Sequence, residues 1–186
     1  MNRFAVLETP IKGLRVIQRT AFGDERGFLS RIFCAEDLVS AGWTWPIAQI
    51  NHTLTKIPGT VRGMHFQFPP RAEAKLVSCL RGAVWDVAVD IRLGSPTFLK
   101  WHAEELSEAN QRALLIPPGF AHGFQALEPD SELFYLHSEP YDPEREGALN
   151  PCDPALAISW PREISSISEK DSKCAMLQPS FAGVTL

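Results

Sequence analysis

The amino-acid sequence predicts an all-β protein, a sandwich or barrel of short strands with few helices. Short runs of apolar, β-branched and aromatic residues recur along the chain, and Gly, Pro and Asp turns separate them at close spacing. Long 3.6-residue periodicity is scarce, and 15 Pro and 11 Phe suit strands and turns better than helices. The 186 residues fit one domain, 1–186, long enough to bury a substantial core and free of repeats, linkers or low-complexity stretches. With 45% hydrophobic and 22% charged residues the chain is globular, and its net charge of -4 argues against a broad nucleic-acid footprint while allowing a local basic pocket.

The elements follow in order. LRVIQRTAF (Leu14 to Phe22), FLSRIF (Phe28 to Phe33) and AQINHTLT (Ala48 to Thr55) are short, partly alternating strands. Pro58-Gly59 then marks a turn before TVRGMHFQF. AKLVSCL and AVWDVAVDIR follow, divided by Arg81-Gly82, and LKWHAEEL, RALLIPP, GFQALE and SELFYLHS complete the strand set. Cys34 to Gly42 predicts a short helix that stops at its glycine, and Ser107 to Ala113 a single helical turn capped by Ser107. The last third is rich in Pro, Asp, Glu and Ser, which predicts ordered loops and a short helix wrapped on the barrel, so that helix falls mainly near the C-terminus.

The four cysteines, Cys34, Cys79, Cys152 and Cys174, form no CxxC pair. Cys79 lies in an apolar run and reads as a small buried hydrophobe. The N-terminal segment has no long apolar h-region, and no stretch has the length of a membrane span. These features lead us to expect a reduced, soluble, cytoplasmic protein without a membrane partner.

Strand alternation groups the polar residues. In RGMHFQ, His65 and Gln67 share one face, and Met64 and Phe66 the other. Lys75 shares a face with Val77 and Cys79, and Asp86 with Ala88 and Asp90, opposite Trp85, Val87, Val89 and Ile91. A lone strand His or Lys is usually structural; several at the centres of apolar strands point either to solvent or into a shared cavity. IPPGFAHGF carries P-x-G-x-x-H, similar to the second half-motif of cupin barrels, where the histidine often binds metal. The first half-motif needs H-x-H and a carboxylate, but Phe66 and Gln67 follow His65. A metal needs about three suitable ligands, so we expect none, and His122 reads as a hydrogen-bonding or polarising group. Tyr135 and Tyr141 are the only tyrosines; a buried tyrosine is either a hydrogen-bonded core residue or a general acid. SEKD, ending in Asp171, taken alone looks like a surface turn.

Taken together, GDERGF, QINHT, RGMHFQ, AKLV, RGAVWDVAVDIRLGSPTF, IPPGFAHGF, FYLHSEPY, DPALAISWP and SEKD resemble, in order and spacing, the dTDP-4-dehydrorhamnose 3,5-epimerases, over almost the whole chain. That resemblance implies a cupin-like jelly-roll sandwich acting on a nucleoside-diphosphate 4-keto-6-deoxy sugar, with no metal or redox cofactor. The C4 ketone acidifies the protons on C3 and C5; a base removes one, and an acid on the other face returns one. The resemblance implies His65 as base, Asp171 as the carboxylate holding that ring and favouring its charged form, and Tyr135 as acid with an ordinary pKa near 10. It implies Lys75 as the cation facing the oxyanion, with His122 and Asp86 as a second polar pair near the sugar. Arg62 corresponds to a diphosphate contact, although plain alternation sets it opposite His65 unless the strand bulges. Gln49, Asn51 and Tyr141 fall among the binding residues. Arg26 and Phe28 match a segment that reaches into a partner's site, which implies a homodimer. The family usually has glutamate where this chain has Arg31, near the nucleotide, and more often glutamine at Glu73. The nucleotide base and the choice of C3, C5 or both therefore stay open. On the residues alone, a metal-dependent cupin dioxygenase or isomerase and a non-catalytic sugar-nucleotide-binding barrel remain alternatives.

Overall fold

The computed structural model describes residues 3–186. Its strands are β1 (Phe4–Glu8), β2 (Arg15–Arg19), β3 (Ala21–Asp24), β4 (Gly27–Ser30), β5 (Gln49–Thr55), β6 (Thr60–Gln67), β7 (Lys75–Arg81), β8 (Ala83–Asp90), β9 (Trp101–Ser107), β10 (Arg112–Ile116), β11 (Phe120–Ala126), β12 (Ser131–His137), β13 (Glu146–Ala148) and β14 (Ser166–Ile167). Two four-residue helices, α1 (Ala35–Leu38) and α2 (Glu169–Ser172), lie towards opposite ends of the chain. One sheet runs β1-β2-β10-β7-β12-β5 and the other β13-β6-β11-β8-β9, with β14 added parallel to β6 and β3-β4 forming a separate hairpin. This is the sandwich that the pattern of short strands allows beside a barrel, and the jelly roll that the resemblance implies.

Apolar runs such as RALLI show no clean alternation because both faces of each sheet are covered. Between the sheets, Val16, Val77, Cys79, Leu114 and Leu133 of the first meet Val84, Ala88, Leu106, Phe120 and Phe124 of the second. On the outer face of the first sheet, Ile17, Leu76, Leu115 and Leu136 pack under Leu38 and Trp43, the layer that α1 and its flanks supply. On the outer face of the second, Met64, Phe66, Val87, Val89 and Ile91 are covered by Leu149, Leu156, Leu177, Phe181 and Val184 of the C-terminal segment. Each Val, Leu, Ile, Phe or Met among them that is fully buried contributes about 1.5–3 kcal/mol relative to exposure.

Several local expectations change. The Leu14–Phe22 run breaks at Thr20 into β2 and β3, and the Phe28–Phe33 strand ends at Ser30, because Phe33 turns to pack on the Trp43 cluster. Ser107 to Ala113 forms no helix: Ser107 ends β9, its Oγ accepts the Asn110 N–H at 3.1 Å, and Gln111 takes φ +56°, a turn that carries the chain from the second sheet into β10 of the first. Strands β13 and β14 are too short to stand out in the sequence, and β1, the apolar run FAVLE, is a further strand at the edge of the first sheet. No helix among the described residues is long and apolar enough to cross a membrane, and Cys34, Cys79, Cys152 and Cys174 are all unpaired thiols.

Candidate active site

The aliphatic filling stops at one end of the sandwich. There the sheets enclose a cavity of about 200 Å³ lined by Asn51, Thr53, Arg62, His65, Lys75, His122, Tyr135 and His137, with Gly123 and Phe124 completing the wall. His65, Arg62 and His122 come from one sheet, and Lys75, Tyr135, His137 and Asn51 from the other. An adjoining chamber of about 320 Å³ shares His65, Lys75, Asn51 and His137 and adds Gln49, Gln67, Glu73, Tyr141 and Glu146.

Arg62 reaches the cavity through a β-bulge. His122 pairs with His65 and Phe124 with Arg62, so three steps along β6 oppose two along β11. One extra residue in β6 reverses the alternation and turns Arg62 to the same side as His65. Only glycine fits that kink. Gly63 has φ +127°, and a Cβ there would lie 2.5 Å from Gly123 Cα and 2.8 Å from the His122 carbonyl oxygen. Gly123 is tight for the same reason, with Met64 Sδ 2.6 Å from the position of its would-be Cβ.

The same bulge docks Asp171. Ser168 caps α2 by accepting the Asp171 N–H at 3.0 Å, and the short helix turns the Asp171 side chain inward, 4% exposed. Its Oδ1 lies 2.7 Å from His65 Nε2, and its Oδ2 accepts the Gly63 N–H at 3.3 Å. A carboxylate accepts only, so the neutral ring carries its proton on Nε2, leaving Nδ1 to receive another. A turn that looked like surface in the sequence thus supplies the buried half of a dyad whose imidazole opens to the cavity.

Across the cavity, Asp86 is fully buried and its Oδ1 lies 2.8 Å from His122 Nε2, while its Oδ2 has no hydrogen-bond partner among the described residues. Tyr135 sits between two imidazoles, edge-on to His122 and stacked on His137, with each ring-centroid distance 6.0 Å. Its ordinary pKa, expected from the sequence, is not what the structure provides. Burial pushes the phenol well above 10; Thr53 and Arg62 oppose that, and Asp86 and Cys79 reinforce it. The hydroxyl therefore stays protonated across the whole working pH range.

Three cavity residues escaped the sequence reading as site residues: Thr53, Glu73 and His137. Lys75 Nζ lies 3.0 Å from Glu73 Oε1, and His137 Nδ1 lies 2.8 Å from Glu73 Oε2. All three side chains are close to buried. Burial alone would raise the Glu73 carboxyl, but Lys75 and His137 outweigh it and hold the group at about 2. Alternation held the signal for two of them: His137 is two residues past Tyr135 on β12 and Thr53 two past Asn51 on β5, whereas Glu73 lies before β7 begins.

The remaining predicted residues divide. Gln49 and Asn51 lie on β5 with Gln49 Nε2 donating to Asn51 Oδ1 at 3.0 Å. Tyr141 is 55% exposed at the rim of the second chamber and donates its hydroxyl to Glu146 at 2.9 Å. Gln67 anchors that rim by accepting the Asp142 N–H at 2.7 Å. Arg26 and Phe28 lie on the β3–β4 hairpin, line a separate groove and touch neither chamber; Arg26 pairs with Asp24 at 2.6 Å and Phe28 is 68% exposed. Arg31 pairs with Asp37 at 3.0 Å on the surface. Among the described residues, no group of three His, Cys, Asp or Glu side chains is arranged to hold a metal ion.

The family model described as dTDP-4-dehydrorhamnose 3,5-epimerase matches residues 8–179. The chain belongs to the dTDP-4-dehydrorhamnose 3,5-epimerase family. It is 43% identical over 176 residues to a dTDP-4-dehydrorhamnose 3,5-epimerase of Sinorhizobium fredii, covering 92% of this chain and 86% of that one. It is 38% identical over 168 residues to a dTDP-4-dehydrorhamnose 3-epimerase of Streptomyces niveus, covering 90% and 81%. The crystal structure of a Legionella pneumophila dTDP-6-deoxy-D-glucose-3,5-epimerase in complex with dTDP-4-keto-L-rhamnose superposes with a TM-score of 0.89 at 40% identity, covering 93% of this chain and 92% of that one. Family membership agrees with the fold and with a cavity built from paired titratable groups.

Proposed function

We propose that this chain, acting as one domain over residues 1–186, epimerises the sugar of a dTDP-linked 4-keto-6-deoxyglucose at C3 and C5. His65 and Tyr135 stand on opposite sheets facing one cavity, and this observation carries the reading. A sugar ring lying between the sheets meets a base on one face and a proton donor on the other, which is what inversion requires.

His65 Nδ1 takes the proton from the carbon beside the C4 ketone, and Asp171 compensates the imidazolium charge. The electron pair left on carbon moves into the carbonyl, and the resulting enolate oxygen meets the Lys75 ammonium. Tyr135 delivers its phenolic proton to the opposite face of the carbon, and the ketone re-forms. A phenol raised by burial is a weaker acid than an ordinary tyrosine, yet a ketone enolate is more basic still, and the phenol is protonated at every working pH. C3 and C5 both flank the ketone, so one base–acid pair serves both once the imidazolium has passed its proton to solvent and the phenolate has regained one. The His122–Asp86 pair braces Tyr135 and contacts the sugar. No metal or redox cofactor enters these steps.

Arg62 binds the diphosphate with its planar fork, and Gln49, Asn51 and Tyr141 line the approach for the sugar and nucleotide. The exposed Arg26 and Phe28 on their hairpin serve a partner's cavity in a homodimer. Arg31, engaged by Asp37, leaves thymidine the first choice of base. The unpaired thiols fit a reducing, cytoplasmic setting.

Incubation with dTDP-4-keto-6-deoxyglucose in deuterium oxide, followed by NMR, tests the proposal. Deuterium entering C3 and C5 with formation of the rhamno-configured ketone is expected. Exchange at C3 alone restricts the activity to one centre, and no exchange at either carbon refutes the proposal.

A further inference from the structure

Each of the three cavity histidines has a carboxylate on one ring nitrogen: Asp171 on His65, Asp86 on His122 and Glu73 on His137. The proposed reaction uses the first two. The third pair has no part in it, yet it is as closely built.

The proton directions around it follow from one backbone group. The Tyr141 N–H donates to Gln49 Oε1 at 2.9 Å, and a backbone amide can only donate. Gln49 therefore turns its amino group to Asn51 Oδ1 at 3.0 Å. Asn51 in turn presents Nδ2 to His137 Nε2 at 3.4 Å. Nε2 then accepts, so the neutral ring carries its proton on Nδ1 and donates it to Glu73 Oε2 at 2.8 Å. The other Glu73 oxygen takes Lys75 Nζ at 3.0 Å. Apart from Glu73, Lys75 Nζ has, among the described residues, only a 3.4 Å contact to the His65 carbonyl oxygen. A lysine stem is flexible, and a buried ammonium needs a counter-charge to stay where it is.

We propose that Glu73 and His137 are positioning residues of this site. The carboxylate anchors the Lys75 ammonium at the cavity, and the imidazole clamps that carboxylate while fixing which ends of the Asn51 and Gln49 amides face the substrate. The inference rests on Lys75 as the cation at the enolate oxygen.

Glu73→Gln keeps the shape and removes the charge, and His137→Asn keeps a donor towards Glu73 and removes the contact to Asn51. The variants are compared with wild type by kcat, by KM for the dTDP-linked 4-keto sugar and by competitive inhibition with dTDP, which lacks the sugar. Loss of about tenfold to a hundredfold in kcat is expected for Glu73→Gln, with dTDP inhibition unchanged, because a catalytic group displaced by about 1 Å can lose that much. His137→Asn is expected to raise KM several-fold and to lower kcat less than Glu73→Gln does. Wild-type kcat in Glu73→Gln, or parallel loss of kcat and dTDP binding, overturns the inference. If Glu73→Gln does not fold, Glu73→Asp, with a shorter reach to Lys75, reads the same split, and wild-type kcat there overturns it equally. A Lys75→Met control separates the two levels: wild-type kcat in it removes the role of Lys75 itself, whereas an inactive Lys75→Met beside a fully active Glu73→Gln removes only the positioning role.

Discussion

Replacing Asp171 with asparagine leaves the shape of the His65 dyad and reverses its proton logic. The wild-type carboxylate accepts twice, from His65 Nε2 at 2.7 Å and from the Gly63 N–H at 3.3 Å. An asparagine must choose. With its oxygen towards Gly63, its amino group faces His65 Nε2, which must then accept, and the ring proton moves to Nδ1, where the base is needed. With its oxygen towards His65, two N–H groups face each other at Gly63, and a buried unpaired donor costs about 1–3 kcal/mol. The competent arrangement is therefore disfavoured by that amount. Loss of the charge-assisted bond to the imidazolium adds about 1.5–3 kcal/mol in the transition state. The sum, about 2.5–6 kcal/mol, corresponds to a fall in kcat of about a hundredfold to ten-thousandfold, at 1.36 kcal/mol per factor of ten. Deuterium incorporation at C3 and C5 under saturating substrate measures it directly, with thermal melting and dTDP binding as checks on the fold. Exchange within tenfold of wild type, in a folded variant that binds dTDP normally, would show that Asp171 does not set the protonation of His65.

Four further outcomes follow. Gly63→Ala puts a Cβ 2.5 Å from Gly123 Cα at φ +127°, so a loss of about 3 kcal/mol is expected, lowering Tm by about 6–12 °C, and a melt within 2 °C of wild type would refute the bulge geometry. Tyr135→Phe should slow formation of inverted product more than it slows initial proton loss, and equal slowing of both would make Tyr135 positional. Glu73 is held at about 2 against an ordinary 4.5, so its contribution of about 3 kcal/mol is complete above pH 4.5 and lost as the pH falls towards 2. Acid titration of wild type and Glu73→Gln should therefore converge across that window, and a gap in stability that stays constant from pH 7 to 2 would contradict the assignment. Activity should survive chelator treatment with no stoichiometric metal; restoration by added iron or manganese would instead favour metal-dependent cupin chemistry.

Much of this protein is legible in its sequence because strand alternation is a local property. The pattern of short strands narrows the fold to a sandwich or barrel, and period-two spacing groups His65, Lys75 and Tyr135 on faces that turn inward. Motif order identifies the family, since GDERGF through SEKD span the chain in sequence. Three things are invisible in the local pattern, the first two implied beforehand by the family resemblance alone, and their physical cause lies in the tertiary structure. Arg62 enters the cavity because one extra residue in β6, at a glycine with no room for a side chain, reverses the alternation; a bulge needs the partner strand to reveal it. Asp171 becomes the partner of His65 because a capped four-residue helix folds back over β6 from 106 residues away, and sequence distance says nothing about such a contact. Burial raises Tyr135, and Lys75 and the His137 hydrogen bond depress Glu73, for an ionisable group takes its acidity from whatever surrounds it once the two sheets have closed.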